Sequence, residues 1–526
     1  MNSAAAATFT RDALVAPAFV LLIALPWLNP FASGPSPAVL PWLLALSATA
    51  ILMLLASLRG PTPDIHGGSS FSRRWASPIA WAWALAGLVS CVIGLLQYFG
   101  HSPELEPWVN QTPLGLAFAN LRQRNQFATL TNLALAALLW LAVSGRGEAG
   151  GRPWGLLGAA GLLAVGNAAS SSRTGLLELV LLCGLVLLWG GWRVAVLRRV
   201  LLTAGLAYAL ATLALPWLIG LDPFSSGAWG RLKAGDAVCA SRFTLWSNVL
   251  HLIAQKPWLG WGWGELDYAH YITLYEGPRF CEILDNAHNL PLHLAVELGV
   301  PVALGLCGGL AWWLWRQRPW AEADPTRQLA WAVLALIGLH SLLEYPLWYG
   351  PFQMAAGLGV LLLWRSPGTG LFANCQANRP LAQVMRAVIA IILIATSGYA
   401  MWDYHRISQI YLPPEARDAA YRDGTLAKIR ASWLFARQVR FAELGITPLT
   451  PANAQWTFDT ATALLHYSPE PRVAEKLIES AVMLGRDDEA LAQLARFRAA
   501  FPADYARWAR ANARRPGLKE QNEIAH

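Results

Sequence analysis

The chain predicts an all-α polytopic membrane protein with about eleven transmembrane helices, a long outer loop and a small helical C-terminal domain. Three observations carry that expectation. Of 526 residues, 55% are hydrophobic and 14% charged, where ordinary soluble domains are about 25% charged, and the mean hydropathy is +0.37. Apolar runs long enough to cross ~30 Å of hydrocarbon recur along most of the chain. Arginines fall on alternate connections between those runs, the asymmetry that orients membrane proteins.

The runs lie near 13–28, 38–58, 78–99, 126–143, 153–169, 174–190, 200–220, 288–315, 328–347, 348–364 and 384–402. Several contain Gly and Pro, which membrane-spanning helices tolerate. The first follows Arg11 and also reads as a signal sequence. It lacks a clear A-x-A cleavage site and is taken as a span. The stretch 328–364 is two spans or a broken pair around Pro346. Trp81, Trp83, Trp140, Trp189, Trp312, Trp313 and Trp364 stand near span ends, as an interfacial belt would place them. Cys91, Cys183, Cys307 and Cys375 lie in or beside apolar runs and read as small buried hydrophobes.

Arg11, then Arg59, Arg73 and Arg74, then Arg146 and Arg152, then Arg193, Arg198 and Arg199, then Arg316, Arg318 and Arg327, then Arg365, Arg379 and Arg386 occupy alternate connections. Those connections are cytoplasmic by the positive-inside rule. Opposite them lie 29–37 and 342–350, without Lys or Arg, and the loops 100–125, 170–173 and 221–287. The N-terminus is then inside and the C-terminal region outside. The net charge of +8 is the orienting excess, and nucleic acid is not an expected partner.

Arginines on the outer face break that pattern: Arg122, Arg124, Arg173, Arg231, Arg242 and Arg279. An arginine at bilayer depth costs about 2.5–3.5 kcal/mol on insertion scales, so one near the interface usually has a partner. Snorkelling to lipid headgroups or capping of local structure is the bland account. Binding a phosphate, onto which a guanidinium forks naturally, is the sharper one.

The outer loop carries an amphipathic helix from Ser241 to Leu250, broken by the Pro257–Gly264 segment with its three tryptophans. A loop this long is usually a lid or binding element. Cys239 and Cys281 flank part of it. An oxidising compartment would pair them, and two unrelated thiols is the alternative. No CxxC pair occurs, so zinc is not expected. The loop ends Asp285-Asn286-Ala287-His288-Asn289. His288 read alone is structural; beside Asp285 and Asn286 it becomes a candidate proton acceptor. Glu344 and Tyr345 place a carboxylate and a phenol at the outer end of another span.

The composition divides the chain into a transmembrane part, 1–402, which includes the loop 221–287, and a helical part, 403–526. Within the latter, 472–501 reads as a helical hairpin turning at Gly485, like one tetratricopeptide unit. It is either a cap or a docking platform for an acceptor.

Together these residues resemble the bacterial O-oligosaccharyltransferases of pilin and general protein O-glycosylation, in the superfamily that also holds O-antigen ligases and polymerases. The resemblance covers nearly the whole chain. It is carried by Asn120-Leu121-Arg122-Gln123-Arg124-Asn125, Ser172-Arg173-Thr174-Gly175, Ser241-Arg242 with Trp246, Pro257 through Gly264, Asp285 through Asn289 with Gly299, and Glu344 through Tyr349. One departure is Val302, three positions after the glycine, where the family often has a small or polar residue.

The resemblance implies transfer of a preassembled glycan from an undecaprenyl-diphosphate carrier to an acceptor, in the bacterial inner membrane and on its periplasmic face. It implies no cofactor and no metal. Arg173 and Arg242 would hold the diphosphate and His288 would act on the acceptor hydroxyl. Gln123, Arg124, Arg122, Asn125, Arg279, Asp285, Asn289, Glu344 and Tyr345 are expected to contact substrate. The acceptor is a pilin-like protein or, alternatively, lipid A core or a growing O-antigen. A lipid-linked glycan flippase is the competing class. It would spread its charges through the membrane depth, whereas here the unusual arginines share one face.

Overall fold

The computed structural model describes residues 3–31, 34–58, 70–144, 153–227, 230, 233, 237–363 and 379–513. Arg59, Arg146, Arg152, Arg231, Arg365 and Cys375 lie outside them. Among the described residues every regular element is helical.

The chain divides into two compact units, one of Met1–Gly235 with Trp313–Trp402, the other of Asp236–Trp312 with Asp403–His526. In the first unit each apolar run forms a helix: α1 (Ser3–Leu28), α2 (Val39–Leu58), α3 (Ser70–Tyr98), α4 (Arg124–Ser144), α5 (Pro153–Ala169), α6 (Arg173–Leu188) and α7 (Ala195–Leu218). In the second unit α8 (Arg242–Gln255), α9 (Leu266–Ile272) and α10 (Leu290–Leu298) belong to the outer loop. Helix α11 (Val300–Gln317) follows, then α12 (Pro325–Ser341), α13 (Gly350–Leu363) and α14 (Arg379–Ser408). The break around Pro346 is real: α12 stops at Ser341 and a short turn at Pro346–Trp348 precedes α13.

Five described helices are long and apolar enough to cross a membrane (Val39–Ser57, Trp75–Tyr98, Arg124–Ser144, Ala195–Leu218 and Leu381–Tyr411), and Ala16–Leu28, Trp154–Ala169 and Gly350–Leu363 are shorter apolar helices. Burial ranks them. Within the protein 78% of the α4 span is buried, against 11% of Leu381–Tyr411, so α4 is central and α14 peripheral. Alanines meet where α3, α4 and α5 pack (Ala82, Ala86, Ala134, Ala137, Ala160, Ala164), the small-residue contact that lets helices approach in lipid. Trp83 and Trp140, expected in the interfacial belt, are buried in this core instead; Trp140 Nε1 donates to Thr326 Oγ1 at 3.2 Å.

The run 288–315 is not one helix. It divides at Gly299, whose φ of +89° is open to glycine, and Pro301 follows two residues on. The preceding segment explains the division. Trp261 N donates to Val296 O, Gly262 N to Glu297 O and Val300 N to Pro257 O, so the Trp-Gly stretch runs along α10. Leu245, Val249, Leu252, Leu266, Phe280 and Val296 form the core under this loop. In the C-terminal part of the same unit, α15 (Thr425–Ile429), α16 (Ala436–Ile446), α17 (Ala454–Leu465), α18 (Pro471–Met483), α19 (Asp487–Ala500) and α20 (Pro502–Ala513) follow in order. Phe441, Leu464, Leu477, Ile478 and Phe497 are buried among them, together with Tyr271 of α9.

Candidate active site

In the first unit the candidate residues gather where α4 and α6 begin. Gln123 Oε1 accepts the amide of Gln126 at 2.7 Å and so caps α4, of which Arg124 is the first residue. Ser172 Oγ accepts the amide of Gly175 at 2.9 Å and caps α6, of which Arg173 is the first residue. The two guanidinium groups stand close enough for their charges to repel. Asn125 bridges outward from α4: its Oδ1 accepts from Ser172 Oγ at 2.6 Å, and its Nδ2 donates to Glu344 Oε1 at 3.2 Å. Glu344 is buried, and the neighbouring Tyr345 ring stacks on Tyr349.

The second unit repeats the arrangement. Ser241 Oγ accepts the amide of Thr244 at 3.2 Å, and Arg242 is the first residue of α8. Arg124, Arg173 and Arg242 therefore each occupy the first position of a capped helix. That end of a helix already carries partial positive charge, so a cation there costs about 0.3–1 kcal/mol, while an anion is favoured. Local stability does not select arginine at such a place three times.

His288 is held by its neighbours. Its φ of +50° is rare for a residue with a side chain, and the turn that imposes it is fully specified. Asn286 Oδ1 accepts the His288 amide at 2.9 Å, Trp246 Nε1 donates to Ala287 O at 3.1 Å, and Asn289 Oδ1 accepts the Leu292 amide at 3.1 Å to cap α10. Asp285 lies within electrostatic reach of His288. Behind the turn, His293 Nε2 is 3.4 Å from Glu297 Oε2, both side chains buried. Cys239 and Cys281 form a disulfide, with Cα atoms 5.3 Å apart, which ties the start of α8 to the strand of chain leading to this turn.

Two of the expected substrate contacts have structural work. Arg122 Nη2 donates to Pro30 O at 2.7 Å and Asn110 Oδ1 at 3.0 Å, and so fastens the outer loop before α4. Arg279 donates to Thr273 O and His270 O, both at 2.8 Å, bracing the end of α9. Beside it, burial and then the Arg279 charge push His270 down to about 3, and its ring nitrogens engage Tyr275 OH and Phe280 O. Asp267 is pushed up to about 7, chiefly by burial and further by Asp285, Glu265 and Glu297, against the amide of Tyr268.

Sequence reasoning missed the polar residues inside the spans: Thr129, Asn132, Asn167 and Glu178, all buried. A signal was present. Asn125, Thr129 and Asn132 follow the i, i+4, i+7 spacing of one helix face within an apolar run. Among the described residues no three His, Cys, Asp or Glu side chains gather as a metal ligand set.

Comparison with known proteins covers these residues. A family described as protein glycosylation ligase matches 117–142, one described as O-antigen ligase matches 158–307, and one described as virulence factor membrane-bound polymerase, C-terminal, matches 328–516. Arg124 falls in the first, Arg173, Arg242 and His288 in the second, Glu344 and Tyr345 in the third. Two relatives come from Acinetobacter baylyi. The ComP-specific O-oligosaccharyltransferase is 25% identical over 317 residues, 58% of this chain and 54% of the relative. The general O-oligosaccharyltransferase is 27% identical over 300 residues, 52% of this chain and 47% of the relative. The chain thus spans about half the length of the curated relatives it matches. The chain is therefore similar to bacterial O-oligosaccharyltransferases, and parts of it match O-antigen ligase and membrane-bound polymerase families.

Proposed function

We propose that this chain is a multi-pass enzyme of the bacterial inner membrane that transfers a preassembled oligosaccharide from undecaprenyl-diphosphate to serine or threonine hydroxyls of periplasmic proteins such as pilin. The observation that carries the reading is the placement of Arg124, Arg173 and Arg242 at the first positions of capped helices, where helix and side chain together favour an anion. The Cys239–Cys281 bond supports an oxidising compartment for the loop.

In this reading Arg173 and Arg242 hold the diphosphate. The acceptor oxygen attacks the anomeric carbon from the face opposite the diphosphate. The C1–O bond breaks with its electron pair moving to the leaving phosphate, and the hydroxyl proton passes to the His288 imidazole. Arginine contacts strengthen as charge develops on the departing oxygen, so they lower the barrier rather than tightening the ground state alone. The configuration inverts, and no metal enters a step.

The O-antigen ligase description of 158–307 favours one second reading, transfer to lipid A core or to a growing O-antigen. Purified protein in nanodiscs, lipid-diphosphate glycan and either a pilin-like protein or lipid A core decides between them. Glycan on a protein hydroxyl, inverted and formed in excess chelator, is the expected result. Glycan only on the lipid core establishes the second reading, and transfer to neither acceptor overturns both.

A further inference from the structure

The proposed function rests on the arginines at the starts of α4, α6 and α8 and leaves unused a buried carboxylate of α6 that faces α4. Glu178 is fully buried, as are Thr129, Asn132 and His340 around it. The contacts bind α6 to α4 at three levels. Ser172 Oγ donates to Asn125 Oδ1 at 2.6 Å. Asn132 Nδ2 donates to Gly175 O at 3.0 Å, and Asn167 Nδ2, from α5, holds Asn132 by donating to its Oδ1 at 3.1 Å. At the third level Thr129 Oγ1 donates to Glu178 Oε1, or accepts from it, at 2.7 Å, and Asn132 Nδ2 donates to Glu178 Oε2 at 3.0 Å. Gly175 permits this closeness: a Cβ there would stand 2.4 Å from Asn167 Oδ1 and 2.5 Å from Ala128 Cβ.

The same network reaches α12. His340 Nδ1 is 2.8 Å from Thr129 Oγ1, and one turn on, Glu344 Oε1 accepts from Asn125 Nδ2. The hydrogens can be counted. Thr129 Oγ1 has one hydrogen and three neighbours: Asn125 O at 2.9 Å, Glu178 Oε1 and His340 Nδ1. A carbonyl oxygen can only accept. All three contacts are satisfied together when Thr129 donates to Asn125 O and accepts from a protonated Glu178 and from His340 Nδ1–H.

Packing alone does not call for such a carboxyl. Replacing a buried, paired ionisable group by an apolar residue of similar volume is often neutral or stabilising. What the network supplies is a single arrangement of three helices, since a satisfied polar network specifies a register that apolar contacts leave soft.

We propose that Glu178, through Thr129 and Asn132, is a positioning residue for the paired arginines: it fixes the first turn of α6 against α4 and so sets Arg124 and Arg173 at the separation a lipid diphosphate bridges. The inference rests on the proposed function and deepens it. Two variants test it in nanodiscs, Glu178→Met and Thr129→Val, with Glu178→Gln as the conservative control. A glutamine can donate to Thr129 and accept from Asn132, as the protonated acid does. Three quantities are measured: equilibrium binding of undecaprenyl diphosphate, KM for the glycosylated donor and KM for the acceptor protein.

Glu178→Met and Thr129→Val are expected to weaken carrier binding and raise the donor KM about tenfold, the scale of coupling inside one hydrogen-bond network. Acceptor KM and melting temperature hold, and Glu178→Gln stays near the parent. Unchanged carrier binding in either folded variant, or equal shifts in donor and acceptor KM, overturns the inference. So does loss of the folded protein in both, which would assign the network to folding alone. A parent protein that does not bind the carrier instead overturns the proposed function, and this inference with it.

Discussion

A residue's position within its element says more here than its identity. Arg124, Arg173 and Arg242 each begin a capped helix, where a carboxylate is the residue that stability favours. Such a position favours an anion, which the proposed function assigns to the donor diphosphate. Arg173→Ala and Arg242→Ala should each lower kcat/KM about 10²–10³-fold, the usual loss when one donor to developing charge is removed. Lysine should not restore the rate, because a point charge does not replace a two-pronged contact. His288→Ala should leave carrier binding intact while transfer falls about 10²–10⁴-fold, the contribution of a positioned base. A further expectation concerns Asp267, which is raised to about 7 in the fold against about 3.9 in an unfolded chain. The folded state holds that proton more tightly, so stability declines as pH rises from about 4 to about 7 and the cost is constant above. Asp267→Asn should remove that part of the decline in a melting profile; an unchanged slope would refute the assignment. Which arginines brace backbone was not legible in the sequence, because the partners of Arg122 and Arg279 are mainly loop carbonyls. The face of half-buried Asn125 and buried Thr129 and Asn132 was missed although its spacing was there to read, and nothing in the spacing showed the carboxylate it meets.

Among the elements, hydrophobicity located every run and missed one break. The apolar runs fall on helices, with 288–315 divided between two, because each hides or presents the same kind of surface along its length. The division of 288–315 comes from hydrogen bonds between Pro257–Gly262 and Val296–Val300, distant in sequence and invisible to a window of hydropathy. Gly299 marks the point. A Cβ there would stand 2.2 Å from Trp258 O on a backbone at φ +89°. Gly299→Ala is expected to cost about 1–3 kcal/mol or more through forced packing and backbone strain, measured as lost protease protection of the outer loop. Gly308→Ala, with nothing within 4 Å of the added carbon, should be neutral or mildly stabilising. Tryptophans divide by the same logic: Trp81 and Trp312 are exposed as an interfacial belt predicts, while Trp83 turned inward because α3 packs on several helices at once.

On the scale of the whole molecule, composition announced several apolar helices of a membrane protein, and charge on alternate loops gives the orientation expected of it. The grouping of the outer loop with the C-terminal helices was not legible, because Tyr271 packs among Phe441, Leu477 and Phe497 from far away in sequence. The bond between Cys239 and Cys281, 42 positions apart, has a consequence for how the protein matures. On the chain-entropy view such a crosslink removes about 4 kcal/mol of freedom from the open loop. Insertion into the bilayer needs only the apolar runs and does not wait for a thiol oxidant; under the proposed function, competence does. A preparation kept in reductant would hold every span in place yet leave the segment bearing Arg242 and His288 loosely tethered, and its activity would record the redox history of the sample.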